Sequence, residues 1–381
     1  GNDSPRPASQ RAAAFILTAA MLTTLAAPAF ADTWCIENGN ITVKAGDTEG
    51  TNKVSQGSII DREDTNTIIT NSDKDTASSN TVTIDAGNDK VEVTLDNVNI
   101  KAGSGSALTS KGDVTLTLKG DNHLTGGISD TGNYGRNGIA STGSLTITGG
   151  ENGSLTAQGG SGADGGHGGH GIYSNGSLTI SGGSTVTANG GNGGNVSGDG
   201  ISSNGSVTIS GGTVTANGGD GSSGGDGIRS GDIDLSGSLE LTAKAGSPNG
   251  KALSQRGNEL DLDDIKDKLG PGAKVTATDA NGETKQVSIP RPVEPEEPSS
   301  SSDGGSATPS TPASPLPGLT VTDKSGAVIS YTSTQSGNTL TVCVGRFTAS
   351  LRASLSALRQ LRAEGIETIT FQTILCSTTL S

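Results

Sequence analysis

Apolar and polar residues alternate in short runs through the middle of the chain, and the runs return in the same order. One copy reads GIYSNGSLTISGGSTVTANGG from Gly171 to Gly191, and the next reads GISSNGSVTISGGTVTANGG from Gly200 to Gly219. Within the first copy the apolar positions are Ile172, then Leu178 and Ile180, then Val186 and Ala188. Alternation of this kind is the period of a half-buried β-strand. Each copy therefore predicts three short strands. Copies open at Ala107, Gly138, Gly171, Gly200, Gly227 and Ala252, 25 to 33 residues apart. A variable period near thirty is the mark of a solenoid.

The apolar positions align as columns. The first holds Leu108, Ile139, Ile172, Ile201, Ile228 and Leu253; the second Val114, Leu145, Leu178, Val207 and Ile233. The third holds Leu116, Ile147, Ile180, Ile209 and Leu235; the fourth Leu124, Leu155, Val186, Val214 and Leu241. Stacking the copies sets like side chains over like, at about 4.8 Å per rung. A single coil cannot bury its apolar face, whereas a stack can. The predicted fold is mainly β: a right-handed parallel β-helix of roughly seven or eight rungs, spanning residues 32–289. A propeller fits less well, because its blades need four strands. Gly and Asn mark the corners, at Thr142-Gly143, Asn175-Gly176 and Asn204-Gly205 for one turn and at Gly149-Gly150, Gly182-Gly183 and Gly211-Gly212 for another. A left-handed backbone is the expected reason.

Composition supports this picture. The chain of 381 residues has 60 Gly, and its aromatics amount to 2 %. A narrow interior filled by small aliphatic residues needs few rings, and the strict columns exclude low-complexity disorder. The formal net charge is −14, which disfavours nucleic acid and anionic membranes as partners.

The flanks organise around the solenoid. Arg6 and Arg11 precede an apolar run from Ala12 to Ala27, and Ala29-Phe30-Ala31 stands before Asp32. That is the pattern of an export leader over 1–31, cleaved before Asp32, and it implies a secreted or cell-surface chain with no membrane insertion once mature. NTIIT (66–70) and NTVTIDAG (80–87) are predicted strands of the N-terminal rungs. NELDLDDIKDKLG (258–270) is expected to be a last coil or short capping helix, and 272–289 a hairpin. Residues 290–317 are rich in Pro, Ser and Glu, a linker. Residues 318–381 predict a small α/β (ββαβ) unit, with a hairpin over 327–344, a helix facing inward through Leu351, Leu355, Leu358 and Leu361, and a strand over 367–375. Cys343 and Cys376 are placed to pair if the chain is exported.

Candidate chemistry lies between copies. The stretches ISDTGNYGRN (128–137), SGADGGHGGH (161–170), NGGNVSGD (192–199) and DGSSGGD (220–226) all leave from one corner and are expected to stack. Loops on a rigid scaffold are where binding residues sit. The candidate ligand-binding residues are Tyr134, Arg136, His170, Tyr173 and Arg229. The residue before each Gly-Ile opening is Asn137, His170, Asp199 and Asp226 in turn. Carboxylates one rung apart repel unless something lies between them, and calcium takes carboxylate and carbonyl oxygens. Asp199, Asp220, Asp226 and Asp232 are therefore the candidate Ca²⁺ ligands, against the plainer reading that Asp-Gly makes the turn. His167 and His170 lack the further soft ligands of a transition-metal site. No cluster of acid and base residues identifies a catalytic centre.

The stretch from about Thr81 to Leu253 carries VEVTLDNVNIKAGSGSAL (91–108), GDGI at 198–201 and 225–228, and repeated SLTISGG strands. In these it resembles the secreted bacterial carbohydrate-binding β-helix family, carbohydrate-binding domain-containing proteins with a pectate-lyase-like superfold. The resemblance implies a calcium-binding right-handed β-helix that binds plant cell-wall polysaccharide, acidic pectic chains included. The alternatives are a cell-surface adhesin or structural spacer, and a polysaccharide lyase with Arg229 as its candidate base.

Overall fold

The computed structural model describes residues 32–292, 316–346, 348–373 and 377–380. The leader expected over 1–31, most of the expected linker and Cys376 lie outside them. The chain divides into two units, 1–294 and 295–381.

The first unit is a parallel β-helix, and the four columns are its interior. Leu108, Ile139, Ile172, Ile201, Ile228 and Leu253 pair rung to rung in unbroken parallel register. Val82 and Ile41 extend that ladder at its N-terminal end. The second and third columns form one ladder, from Thr33–Cys35 through Thr67–Thr70 and on to Ile228–Leu235. The fourth runs from Leu155 through Val186, Val214 and Leu241 to Val275. Leu124, expected in it, is two residues out: it pairs with Ile100 and Ala157, and the buried Asn122 stands opposite Leu155, its amide tied to backbone groups of the coils around it. Almost every residue in the columns is fully buried, in one continuous core.

Both ends of the stack are closed. At the N-terminal end Ile41–Ala45, Asn52–Gln56 and Ile59–Asp64 form an antiparallel meander. At the other end Lys274–Thr278 and Thr284–Ser288 make the expected hairpin. The 3-10 helix Leu262–Lys268, capped by the Asp261 carboxylate, adds Leu262 and Ile265 to the core. Side chains replace the missing next rung: Glu259 Oε1 accepts the Leu253 N–H at 3.1 Å, and Gln255 Oε1 accepts the Ile233 N–H at 2.8 Å. Among the described residues no helix is long and apolar enough to cross a membrane.

The corners correct the sequence reading of glycine. Gly182 and Gly212, with φ of 82° and 77°, need the left-handed backbone as expected. Gly143, Gly176 and Gly205 do not have positive φ. They are glycine because coils approach closely: a Cβ on Gly176 would lie 2.7 Å from the Gly143 carbonyl oxygen.

The second unit holds two small sheets. Val328–Ile329, Leu319–Thr322 and Ser350–Ala353 form one, all antiparallel. Thr332–Ser336, Thr339–Cys343, Thr368–Gln372 and Ser377–Leu380 form the other. Its central pair is parallel, joined through the helix Leu355–Ala363, whose cap is the Ser354 hydroxyl. The expected hairpin, helix and following strand are present, but the helix face differs. Leu351 lies in a strand, Leu355 and Leu358 are exposed, and the helix buries Ala357 and Leu361. The helix begins only after its Ser354 cap, so Leu351 precedes it, and its inward face is the i, i+4 pair Ala357 and Leu361.

Candidate functional site on the loop flank

The four inter-copy stretches stack on one flank, as their common corner requires. Gly193–Val196 pairs in parallel with Gly221–Ser223, and His167 bridges to Val196. What fixes them is a spine of backbone hydrogen bonds, nearly all between glycines. Arg136 N–H donates to Gly127 C=O at 2.8 Å, Gly160 to Arg136 at 2.7 Å and Gly169 to Gly160 at 2.8 Å. The chain continues Gly191 to Gly169, Gly198 to Gly191, Gly219 to Gly198, Gly225 to Gly219, Gly246 to Gly225 and Gly250 to Gly246, every step between 2.7 and 2.9 Å. These spine glycines do not have positive φ. A Cβ on Gly160, Gly169, Gly191, Gly198, Gly219, Gly225 or Gly246 would strike a carbonyl oxygen of a neighbouring coil far inside 3.0 Å. Glycine is required here for closeness.

Beside the spine runs the column before each Gly-Ile opening, and it has a structural task. His170 N–H donates to Asn137 Oδ1 at 2.8 Å, and Asp199 N–H to His170 Nδ1 at 2.9 Å. Asp226 N–H donates to Asp199 Oδ1 at 2.7 Å, and Lys251 N–H to Asp226 Oδ1 at 2.7 Å. Each side chain accepts the amide of its counterpart one rung on. The column must therefore supply acceptors, and Asn, His and Asp all do. Only Lys251, at its end, is a donor. Because Nδ1 accepts, the His170 proton sits on Nε2. Burial pushes the imidazole below its ordinary pKa; the Asp199 carboxylate opposes this and the Arg229 guanidinium adds to it. Nδ1 also lies 3.4 Å from Asp199 Oδ2, a distance that counts as an ion pair only for a protonated ring. The neutral ring fits the amide bond better. Burial pushes the Asp226 carboxyl upward; the bond from Lys251 opposes this and the Asp199 charge adds to it.

This arrangement bears on the calcium expectation. Asp199 is 4 % exposed. Its Oδ1 is taken by Asp226, and its Oδ2 lies 2.8 Å from Arg229 Nε. That N–H is not aimed at the oxygen, so Oδ2 is ion-paired without a hydrogen bond. Asp220 stands in a separate column, where its Oδ1 accepts the Ser247 N–H at 2.8 Å. Asp232 lies beyond Ser230, in register with Ser206. Among the described residues no group of three or more His, Cys, Asp or Glu side chains is placed to hold a metal ion. The structure brings Asp199 and Asp226 together and leaves Asp220 and Asp232 apart.

Four of the five candidate ligand-binding residues meet. Arg136, His170, Tyr173, Asp199, Asp226 and Arg229 line one open cleft of about 630 Å³, with His167 and Asn249 at its loop side. The strands set its floor. Tyr173, Ser202 and Arg229 are register partners on three successive rungs, pointing outward. Ser202 is 2 % exposed and its hydroxyl accepts from Arg229 Nη2 at 3.3 Å, so the guanidinium folds back over the middle rung. The His170 and Tyr173 rings stack at 5.8 Å with 20° between their planes. Asn204 Nδ2 donates to Tyr173 Oη at 2.9 Å and to Asn175 Oδ1 at 2.8 Å, which holds the phenol. Tyr134 is 47 % exposed and packs on His167, its ring 5.2 Å away, at the margin of the cleft. Arg229, the candidate base of a lyase, is committed to Asp199.

Comparisons with protein-family models, curated proteins and solved structures return no match. The class that fold and site define is a glycine-rich parallel β-helix with a polar cleft on its loop flank.

Proposed function

We propose that this chain is a non-catalytic carbohydrate-binding protein, exported and directed at extracellular polysaccharide. The observation that carries the reading is the stacked His170–Tyr173 pair opening on a cleft edged by Arg136 and Arg229. Sugar recognition combines a ring face for the apolar side of a pyranose with polar groups for its hydroxyls. Arg136, which makes no ion pair among the described residues, adds carboxylate recognition, which suits a uronate-containing chain such as pectate. A rigid floor of paired strands lowers the ordering cost of binding.

The test is a pull-down of the chain on insoluble pectate and cellulose, with calcium and then with EDTA, comparing wild type with Tyr173→Ala. Binding to pectate that falls about tenfold or more in the variant, the loss of a good stacking contact, supports the reading. If EDTA abolishes wild-type binding, calcium bridges the ligand to the flank. If EDTA leaves it unchanged, Arg136 and the polar groups of the cleft act directly. Retention on neither material under both conditions refutes the reading in favour of an adhesin or spacer.

A further inference from the structure

The first coil contains a buried carboxylate that the cleft does not use. Asp64 is 1 % exposed. Its Oδ2 accepts the Trp34 indole N–H at 2.8 Å, and its Oδ1 accepts the backbone N–H of Asn66 at 3.2 Å and of Asp32 at 3.1 Å. All three donors are neutral. The nearby cation, Arg62, is spent elsewhere: its guanidinium lies over the Trp34 ring, 5.6 Å from the centroid, and Nη1 is 3.9 Å from the Asp32 carboxylate. Among the described residues Asp64 makes no ion pair. A carboxylate buried against neutral donors alone is costly and calls for a counter-charge.

The sequence places the leader-peptidase site between Ala31 and Asp32, at the very amide that donates to Asp64. Hydrolysis there adds water across the Ala31–Asp32 bond. The hydroxyl goes to the Ala31 carbonyl carbon, the C–N bond breaks, and the freed Asp32 nitrogen is protonated from solvent. A neutral amide with one hydrogen becomes an α-ammonium with three, 3.1 Å from Oδ1. The position is already fixed: Asp32 C=O accepts the Ile68 N–H at 3.3 Å, and Thr33–Cys35 ladders onto Thr67–Thr70.

We propose that Asp64 is the receptor for the mature N-terminus, and that cleavage between Ala31 and Asp32 delivers the counter-charge that locks the first coil of the β-helix. The inference rests on the leader reading, and it is independent of what the loop flank binds. The charged groups placed around the amine are Asp64, the Asp32 carboxylate and Arg62.

The experiment has two parts, both on the chain through Ser381. First, the protein is exported from a bacterial host and its N-terminus is read by mass spectrometry. A start at Asp32 is expected; a start elsewhere overturns the leader reading and the proposal with it. Second, the chain beginning at Asp32 is compared with one carrying a single extra Gly before Asp32, which puts a neutral amide back at that nitrogen. The free-amine chain is expected to gain about tenfold or more in its folding equilibrium at pH 7, the usual worth of a charged hydrogen bond. Pairing with Asp64 raises the amine pKa above its ordinary value of about 7.7–8.0. The gain is therefore full below that value and disappears as pH rises through the folded pKa. In Asp64→Asn the two chains should unfold together. Equal stability of the two wild-type chains at pH 7, or a gain that survives in Asp64→Asn, overturns the docking. If Asp64→Asn does not fold, the pH dependence of the gap between the two wild-type chains decides.

Discussion

Gly198→Ala tests whether closeness, not backbone conformation, explains the glycines of the loop flank. The new methyl would lie 2.5 Å from the Gly169 carbonyl carbon and nearer still to its oxygen, with Gly191 N at 3.1 Å. All of these atoms are backbone, so no side chain can swing aside. Relief requires the strands on either side to part. Gly198 N–H donates to Gly191 at 2.8 Å, Gly219 donates to Gly198 at 2.9 Å, and Gly191 donates to Gly169 at 2.7 Å. Losing two of these bonds costs about 1 kcal/mol each, and stranding a buried group adds about 1–3 kcal/mol, so the expected loss is about 3–5 kcal/mol. The matched control is Gly150→Ala. Gly150 does not have positive φ, and a Cβ there meets nothing within 4 Å, so the change should stay within about 0.5 kcal/mol. Urea unfolding followed by circular dichroism reads the midpoint, and amide hydrogen exchange reads whether the flank opens before the ladders. Unfolding can begin in one coil of a solenoid, so exchange is the more direct measurement. Equal midpoints and equal flank protection in the two variants would refute the packing argument.

Two further predictions concern the acceptor column. His170 has its folded pKa lowered by burial. Its contribution to stability is therefore complete above the ordinary histidine value near ~6.5 and is lost as pH falls through the folded value. His170→Asn, which keeps a side-chain acceptor as Asn137 does, should flatten this acid limb in a series of denaturation midpoints between pH 7 and pH 4. Asp226 has its folded pKa raised by burial, so ionisation weakens the fold as pH rises through the carboxylate range. Asp226→Asn should unfold at higher urea than wild type at pH 7, with the gap closing as pH falls, because the amide oxygen still accepts from Lys251 without the charge beside Asp199.

The interior was legible, Leu124 apart, because its rule is simple; there the buried Asn122 takes the place of an apolar residue opposite Leu155, and the alternation alone put Leu124 in it. Leu178 and Ile180 recur as Val207 and Ile209 twenty-nine residues on, and the ladders pair them as the alignment requires. The meeting of Tyr173, His170, Arg136 and Arg229 was legible for the same reason, since segments leaving one corner must stack. Two things were not. The column Asn137, His170, Asp199, Asp226 looked like a charge pattern, but its residues share acceptor capacity, which shows only when the amide of the next rung is seen to point at each. The glycines at Asn175-Gly176 and along the flank looked like turn residues. Their cause is the distance between coils, and a sequence carries no direct record of that distance. The C-terminal helix misled for another reason: Leu355 and Leu358 have helical spacing with Leu361, yet the buried face runs through Ala357 and Leu361, and a small Ala does not stand out in a sequence as a core position.

The spine also sets what variation the flank tolerates. Its glycines admit no side chain, so any substitution there is a defect, whatever residue arrives. The tips beyond the spine are unconstrained by it: the loops run from Asp220–Asp226 to the longer Ile128–Asn137 stretch while the coils beneath keep register. Lineages of this protein are thus free to lengthen, shorten or recharge the tips around the cleft, one rung at a time, and are held fixed a few ångströms below. Diversity in such a chain would accumulate as a fringe on an unchanging seam.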